Sequence, residues 1–146
     1  MADNTIYPLP KFHFLVEWGG TRQGFTEVTG LDKQIEPIEY REGNSLEYSK
    51  CVMPGMVKYS HVVLKRGSCA GDQDFYVWVN TIALNTVTRR DVTIILLDEN
   101  HLPVFTWKIK QAFPVKIQAS DLKADGNEVA IETLELAHEG FELMSQ

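Results

Sequence analysis

Apolar and polar positions alternate with a period of two over most of this chain, the pattern of half-buried strands. Phe12, Phe14, Val16 and Trp18 share one parity against His13, Leu15 and Glu17, and Gly19-Gly20 ends the run. Gly24 to Leu31 and Gln34 to Arg41 read as further short strands, with Gly30 and Asp32 as turn residues between them. Residues 42–56 show no clear period and contain Gly43, Asn44, Ser45, Pro54 and Gly55. A long loop is expected there, and such loops inside compact domains usually bind or dock. Val57 to Lys65 resumes as one strand, with Tyr59, His61 and Val63 on one parity and Val62 and Leu64 on the other.

The period changes once. Phe75, Trp78, Val79, Ile82 and Ala83 recur at helical spacing, so an amphipathic helix is expected with that stripe inward. Asp72 is its expected N-cap, Asp74 suits the positive end of its dipole, and Arg89-Arg90 follow it. Gln73, Tyr76, Asn80 and Thr81 fall on the outer face. Val92 to Leu97 is apolar on both parities and should be covered on both faces. After the turn Asp98-Glu99-Asn100-His101, Val104 to Gln111 returns with Phe105, Trp107 and Ile109 on one face. Pro114 opens another strand carrying Val115, Ile117 and Ala119. In the C-terminal run, Val129 and Ile131 share one parity while Leu134 and Leu136 share the other. A strand whose apolar parity switches must bulge or pass to a second packing surface. The sum is about seven or eight short strands plus one helix, without an internal repeat or linker. We expect a single domain over residues 1–146, a mainly-β barrel or sandwich with one packed α-helix.

The chain has 146 residues, enough to bury a real core. A net charge of −6 and a pI near 5.2 offer no basic surface for phosphates, so stable nucleic-acid binding is not expected. The start, MADNTIYPLPKFHF, lacks a positive segment followed by an apolar core. No apolar run approaches the length of a membrane-spanning helix. Folding in a cytoplasm is expected, with Cys51 and Cys69 as free thiols.

No constellation of residues announces catalysis, a cofactor or a metal. His13, His61, His101 and His138 are isolated, and no GxSxG or phosphate-binding loop occurs. Asp121, Asp125, Gly126 and Glu132 occupy four positions of a calcium-binding loop, but Lys123 puts a cation at a ligand position. The basic pairs Lys65-Arg66 and Arg89-Arg90 lie at element ends and read as solvated cations.

Six segments in order carry a resemblance: FLVEWGG, GFTEVTGLD, IEYREG, MPGMVKYSHVVLKRG, RRDVTIILLDE and DLKADGNEVAIETLELAHEG. Together they resemble the phage-tail-type inner tube proteins, especially those of extracellular contractile injection systems, from about Phe12 to Gly140. The resemblance implies a tail-tube β-barrel or sandwich whose hexameric rings stack into a hollow tube. Its partners would be a contractile sheath, baseplate or hub proteins, a tube terminator, and effector cargo in the lumen. It implies no enzymatic activity, assembly in the bacterial cytoplasm, and a particle that can be released from the cell. Glu42, Tyr48, Met53 and Met56 would then dock an adjacent ring. Gln73, Tyr76, Asn80 and Thr81 would face the sheath. Val129, Ile131, Leu134 and Leu136 would lie on a strand shared between its own core and a neighbouring protomer. Two alternatives stay open: a tube-initiating or baseplate adaptor paralogue of the same fold, and a soluble ligand-binding β-barrel. An enclosed pocket and a small oligomeric state would mark the last.

Overall fold

A computed structural model describes residues 13–20, 24–44, 46, 50–83, 86–124 and 129–145. The chain runs through β1 (Phe14–Glu17), β2 (Glu27–Thr29), β3 (Lys33–Tyr40), β4 (Cys51–Tyr59) and β5 (Val62–Gly67). It continues through α1 (Asp74–Val79), β6 (Arg90–Leu97), β7 (Pro103–Ala119), β8 (Ile131–Ala137) and β9 (Phe141–Ser145). The pairings are antiparallel, in the order β1-β6-β7-β8-β5-β2 with β9 also on β7. Strands β3 and β4 form a separate two-stranded sheet.

Strand β7 joins the two halves of the body. Its first part pairs with β6 and β9, and its second part with β8. The changeover falls at Gln111, whose φ is 54°. Its N–H donates to the Asp91 carboxylate at 3.0 Å, and its carbonyl accepts from Arg89 at 3.3 Å. The two strands expected over Val104 to Gln111 and from Pro114 onward are therefore one, bent at a side-chain-held bulge. Both halves point into one core. Val16, Ile94 and Ile109 come from one side, Leu64, Leu134 and Leu136 from the other, with Trp18, Phe25, Phe75 and Trp78 clustered among them.

Strand β8 overturns the expected parity switch. Glu132, Leu134 and Leu136 all point inward and are buried, while Ile131, Thr133 and Glu135 are half-buried. Its register with β5 runs unbroken from Ile131 to Leu136, and the irregularity beside it belongs to β7 between Pro114 and Lys116. An inward glutamate hid the true parity. That carboxylate accepts a hydrogen bond from Nε of Arg66, which is fully buried. Arg66 is thus a core residue and not the solvated cation expected from its place at a strand end. Arg90 departs from that expectation too, half-buried with its guanidinium 4.7 Å from the Trp78 ring centre.

Three boundaries also differ from expectation. Residues 51–56 belong to β4 and not to a long loop. Pro54 stands opposite Pro37 on the two-stranded sheet, where a missing N–H is tolerated. The single strand expected from Val57 to Lys65 is two strands, divided at Ser60-His61. The helix stops at Val79, leaving Ile82 46% exposed and Ala83 in a bridge to Thr86. Its N-cap position is Gln73, although the Asp72 carboxylate still accepts the N–H of Asp74 at 3.2 Å.

The connection from β2 to β3 depends on Gly30. Its φ is +87°, and a Cβ there would sit 1.9 Å from the His61 carbonyl oxygen. Both the left-handed backbone and the contact forbid a side chain. Gly30→Ala is expected to destabilise the fold by about 2–4 kcal/mol, the size of strain that cannot relax without moving the β4–β5 turn. Urea denaturation monitored by tryptophan fluorescence measures it; a midpoint unchanged from wild type would show the turn free to shift.

Candidate assembly surfaces

The most exposed regular element is the hairpin β3–β4. Every residue of β3 is exposed, and β4 is exposed except at Gly55 and Tyr59, which are half-buried. Yet its composition is apolar. Ile35 pairs with Val57 and Ile38 with Met53. Ile35 and Ile38 are three residues apart on β3, and the register irregularity between Ile35 and Pro37 puts its extra residue on β4, so the two isoleucines fall on opposite parities of β3. Ile35 is 51% exposed, Ile38 50%, Val52 64% and Met56 80%. The hairpin is therefore an arm that is apolar on both sides. A two-stranded ribbon is marginal by itself in water, and exposed apolar surface of this kind marks a contact to another molecule.

The arm is fixed at its root. Tyr59 packs edge-on against Phe141 at 5.2 Å between ring centres, and the His138 ring lies 5.6 Å away. His138 Nε2 donates to the Ser60 carbonyl at 2.9 Å while Nδ1 accepts the N–H of Gly140 at 3.1 Å. One imidazole thus ties the β4–β5 turn to the β8–β9 turn. Along the arm, Lys58 pairs with Glu36 and Lys50 with Glu39.

Met53 and Met56, expected on a docking loop, lie on β4 and are exposed, and Glu42 is exposed beyond the end of β3. Tyr48 lies outside the described residues. The two methionines are thus carried by a strand, which exposes Ile35, Ile38, Tyr40, Val52 and Val57 beside them on the same two-stranded sheet. Sequence reasoning missed these because Pro54-Gly55 read as loop punctuation.

The helix presents the face expected of it. Gln73, Tyr76, Asn80 and Thr81 are exposed, and Phe75 and Trp78 are buried. Arg66 holds that orientation. Its guanidinium lies 3.9 Å from the Phe75 ring centre and 5.1 Å from that of Trp18, and Nη2 reaches Asp72 at 3.4 Å. Trp78 Nε1 donates to the Thr88 carbonyl at 2.8 Å.

The strand expected to be shared between protomers does not have a free edge. β8 is flanked on both sides by β5 and β7, and Leu134 and Leu136 are fully buried in the protomer's own core. Ile131 is half-buried, and Val129 precedes the strand and is 72% exposed. Strands β1, β2 and β9 are each bonded on one side within the protomer.

The β7–β9 edge carries one well-formed ion pair. Lys110 Nζ donates to Glu142 at 2.6 Å, which raises the lysine pKa and lowers the glutamate pKa from its ordinary 4.5. A lowered carboxylate pKa stabilises the folded edge above the unfolded value, and that contribution fades as pH falls through the folded one. In a carbon-detected NMR titration Glu142 is expected to titrate below 4.5, and Lys110→Met should return it to its ordinary range. An unshifted Glu142 in the wild type would place this pair in solvent.

No group of His, Cys, Asp and Glu among the described residues could hold a metal ion. Cys51 and Cys69 are free and exposed. Among the described residues, no helix is long and apolar enough to cross a membrane.

The protomer is thus an antiparallel body with one packed helix and a two-stranded arm whose apolar side chains are exposed. Residues 10–142 match the T4-like virus tail tube protein gp19 family. The chain belongs to that family. It is also similar to a chain in the anti-feeding prophage tube-terminating cap, with 29% identity and a TM-score of 0.89. That match covers 100% of this chain and 97% of the other. A chain in the sheath–tube complex of the PVC extracellular contractile injection system matches at 29% identity and a TM-score of 0.86, over 96% and 93% of the two chains. A chain in the anti-feeding prophage baseplate matches at 27% identity and a TM-score of 0.82, over 97% and 98%. No curated protein matches the sequence at a significant level.

Proposed function

We propose that this chain is the repeating subunit of the inner tube of an extracellular contractile injection particle. On this reading six copies form a ring, rings stack into a hollow conduit for effector cargo, and a contractile sheath encloses the tube. The chain acts by assembly and not by catalysis. It is made and assembled in the bacterial cytoplasm, with baseplate and terminator proteins at the tube's ends. The single observation that carries the reading is the apolar arm, an element whose exposed surface makes sense only when another molecule covers it. Family membership supports tube formation, and likeness to a chain in a sheath–tube complex supports a sheath partner. The arm residues Met53 and Met56 serve ring-to-ring docking with Glu42, and Tyr48 joins them on the sequence reading alone. Tyr76 on α1, with Gln73 at its start and Asn80 and Thr81 just beyond its end, meets the sheath.

A second reading is favoured by the likeness to chains in the cap and baseplate structures: a paralogue that forms a single ring at one end of the tube. Electron microscopy of the purified protein, alone and with baseplate components, tests both. Stacked six-fold rings of extended length support the main subunit. Single rings that never stack favour the terminal paralogue, and monomers under every condition would overturn both.

A further inference from the structure

Beside the root of the arm the two layers of the body stand apart. A groove of about 550 Å³ opens between β2 on one side and β1, β6 and β7 on the other. Its lining includes Phe14, Val28, Leu31, Ile94, Leu96 and Trp107. The register explains this composition: Phe14 stands opposite Leu96, and Ile94 opposite Trp107, so these side chains share one face of the sheet. Ile94 at the floor is 2% exposed and belongs to the core, so the groove is the core's open end. The Glu27 carboxylate at its rim is already engaged by Lys65 at 3.4 Å. Strands β1 and β2 are the two ends of the sheet order.

The same chain carries an apolar solid with no cover. Strand β3 pairs with β4 and makes no substantial packing with any other element, so an arm does not fill its own groove. β3 begins two residues after Leu31, and each arm leaves from the rim of its own groove. Its eight residues of strand extend about 26 Å. Charge favours the same match. Along the sequence from Lys33 to Tyr59, Lys33, Arg41, Lys50 and Lys58 balance Glu36, Glu39, Glu42 and Glu47, so this segment is formally neutral and the chain's −6 comes from the rest of the sequence. Two anionic bodies repel, whereas a neutral apolar arm approaches an anionic body without that cost. A surface on one copy that fits a different surface on the next makes a heterologous contact, which closes rings or propagates along an axis.

We propose that the far half of the arm, around Ile38 and Met53, packs into the β1–β2 groove of a neighbouring copy and caps the open end of its core. This names the arm's partner surface and rests on the tube reading. The native thiols make it testable, because Cys51 lies opposite Tyr40 at the arm's far end and is exposed. With Cys69→Ser removing the other thiol, Thr29→Cys places a partner thiol at the groove. A short bismaleimide added to assembled particles should then give dimers and higher species under denaturing electrophoresis. Cys51→Ser should abolish them. Glu27→Cys offers a second attachment point should Thr29→Cys perturb β2. Normal tubes that yield only monomer-sized product, or an internally cross-linked monomer, would overturn the groove assignment while leaving the tube reading intact. Cross-linking between copies that form no rings would keep the assignment and remove the tube reading. A small apolar molecule filling the groove in assembled particles would also overturn it.

Discussion

Glu132→Leu should cost the fold about 3–5 kcal/mol, the penalty for stranding a buried cation. Arg66 is fully buried against Phe75, Trp18 and Phe25. Nη2 reaches Asp72, Nε is held by Glu132, and Nη1 has no hydrogen-bond partner. Removing Glu132 leaves Asp72 as the facing carboxylate, at 3.4 Å and at the edge of the site. Total stabilities of about 5–15 kcal/mol make such a loss enough to depopulate the native state at moderate temperature. The double variant Arg66→Met with Glu132→Leu should recover most of the loss, because it removes the charge together with its partner. It also keeps an apolar stem against Phe75. Urea denaturation of both variants decides the matter. A single variant as stable as the double would mean that Arg66 reaches water and that the pair is not what seats α1.

This pair also explains which parts of the fold were legible in the sequence. The periodic stretches were readable where side chains obeyed the simple rule of apolar inward. Phe14 to Glu17 and the outward face of α1 came through for that reason. Where a charged residue takes an inward slot, the rule inverts. Glu132 made β8 look as if its parity changed, and Arg66 looked like an end-of-strand cation, although each explains the other. The first part of β4 failed for a different reason. A strand exposed on both faces shows no alternation, since neither face meets the chain's own core. Pro54 and Gly55 then read as loop residues, while a two-stranded ribbon has room for a proline on each strand. With no core of its own to face, the strand leaves no period-two pattern in the sequence. The groove was likewise hidden, because its lining comes from β1, β2, β6 and β7 and converges only after folding.

Ile38→Asp together with Met53→Asp is expected to leave a folded protomer that no longer assembles. The two side chains face each other across the arm and are 50% and 42% exposed, so neither supports the body's core. Substitution at such positions costs the protomer little. Docking of the arm would cover only the exposed half of each side chain, so losing them forfeits about 0.8–1.5 kcal/mol each. Roughly 1.5–3 kcal/mol per arm corresponds to a drop of about tenfold to a hundredfold in association. Burying two unpaired carboxylates adds to it. Because every copy in a tube uses the arm, the loss applies at each addition step. Circular dichroism and thermal melting should therefore match the wild type while sedimentation and electron microscopy show no tubes. Leu96→Asp, placed in the groove and not on the arm, should give the same outcome if the two surfaces meet. Tubes of normal length from the arm double variant would remove the arm from the contacts that hold the polymer. Assembly would then fall to the lateral edges of β1, β2 and β9, whose free hydrogen-bonding groups are the other unsatisfied feature of the protomer.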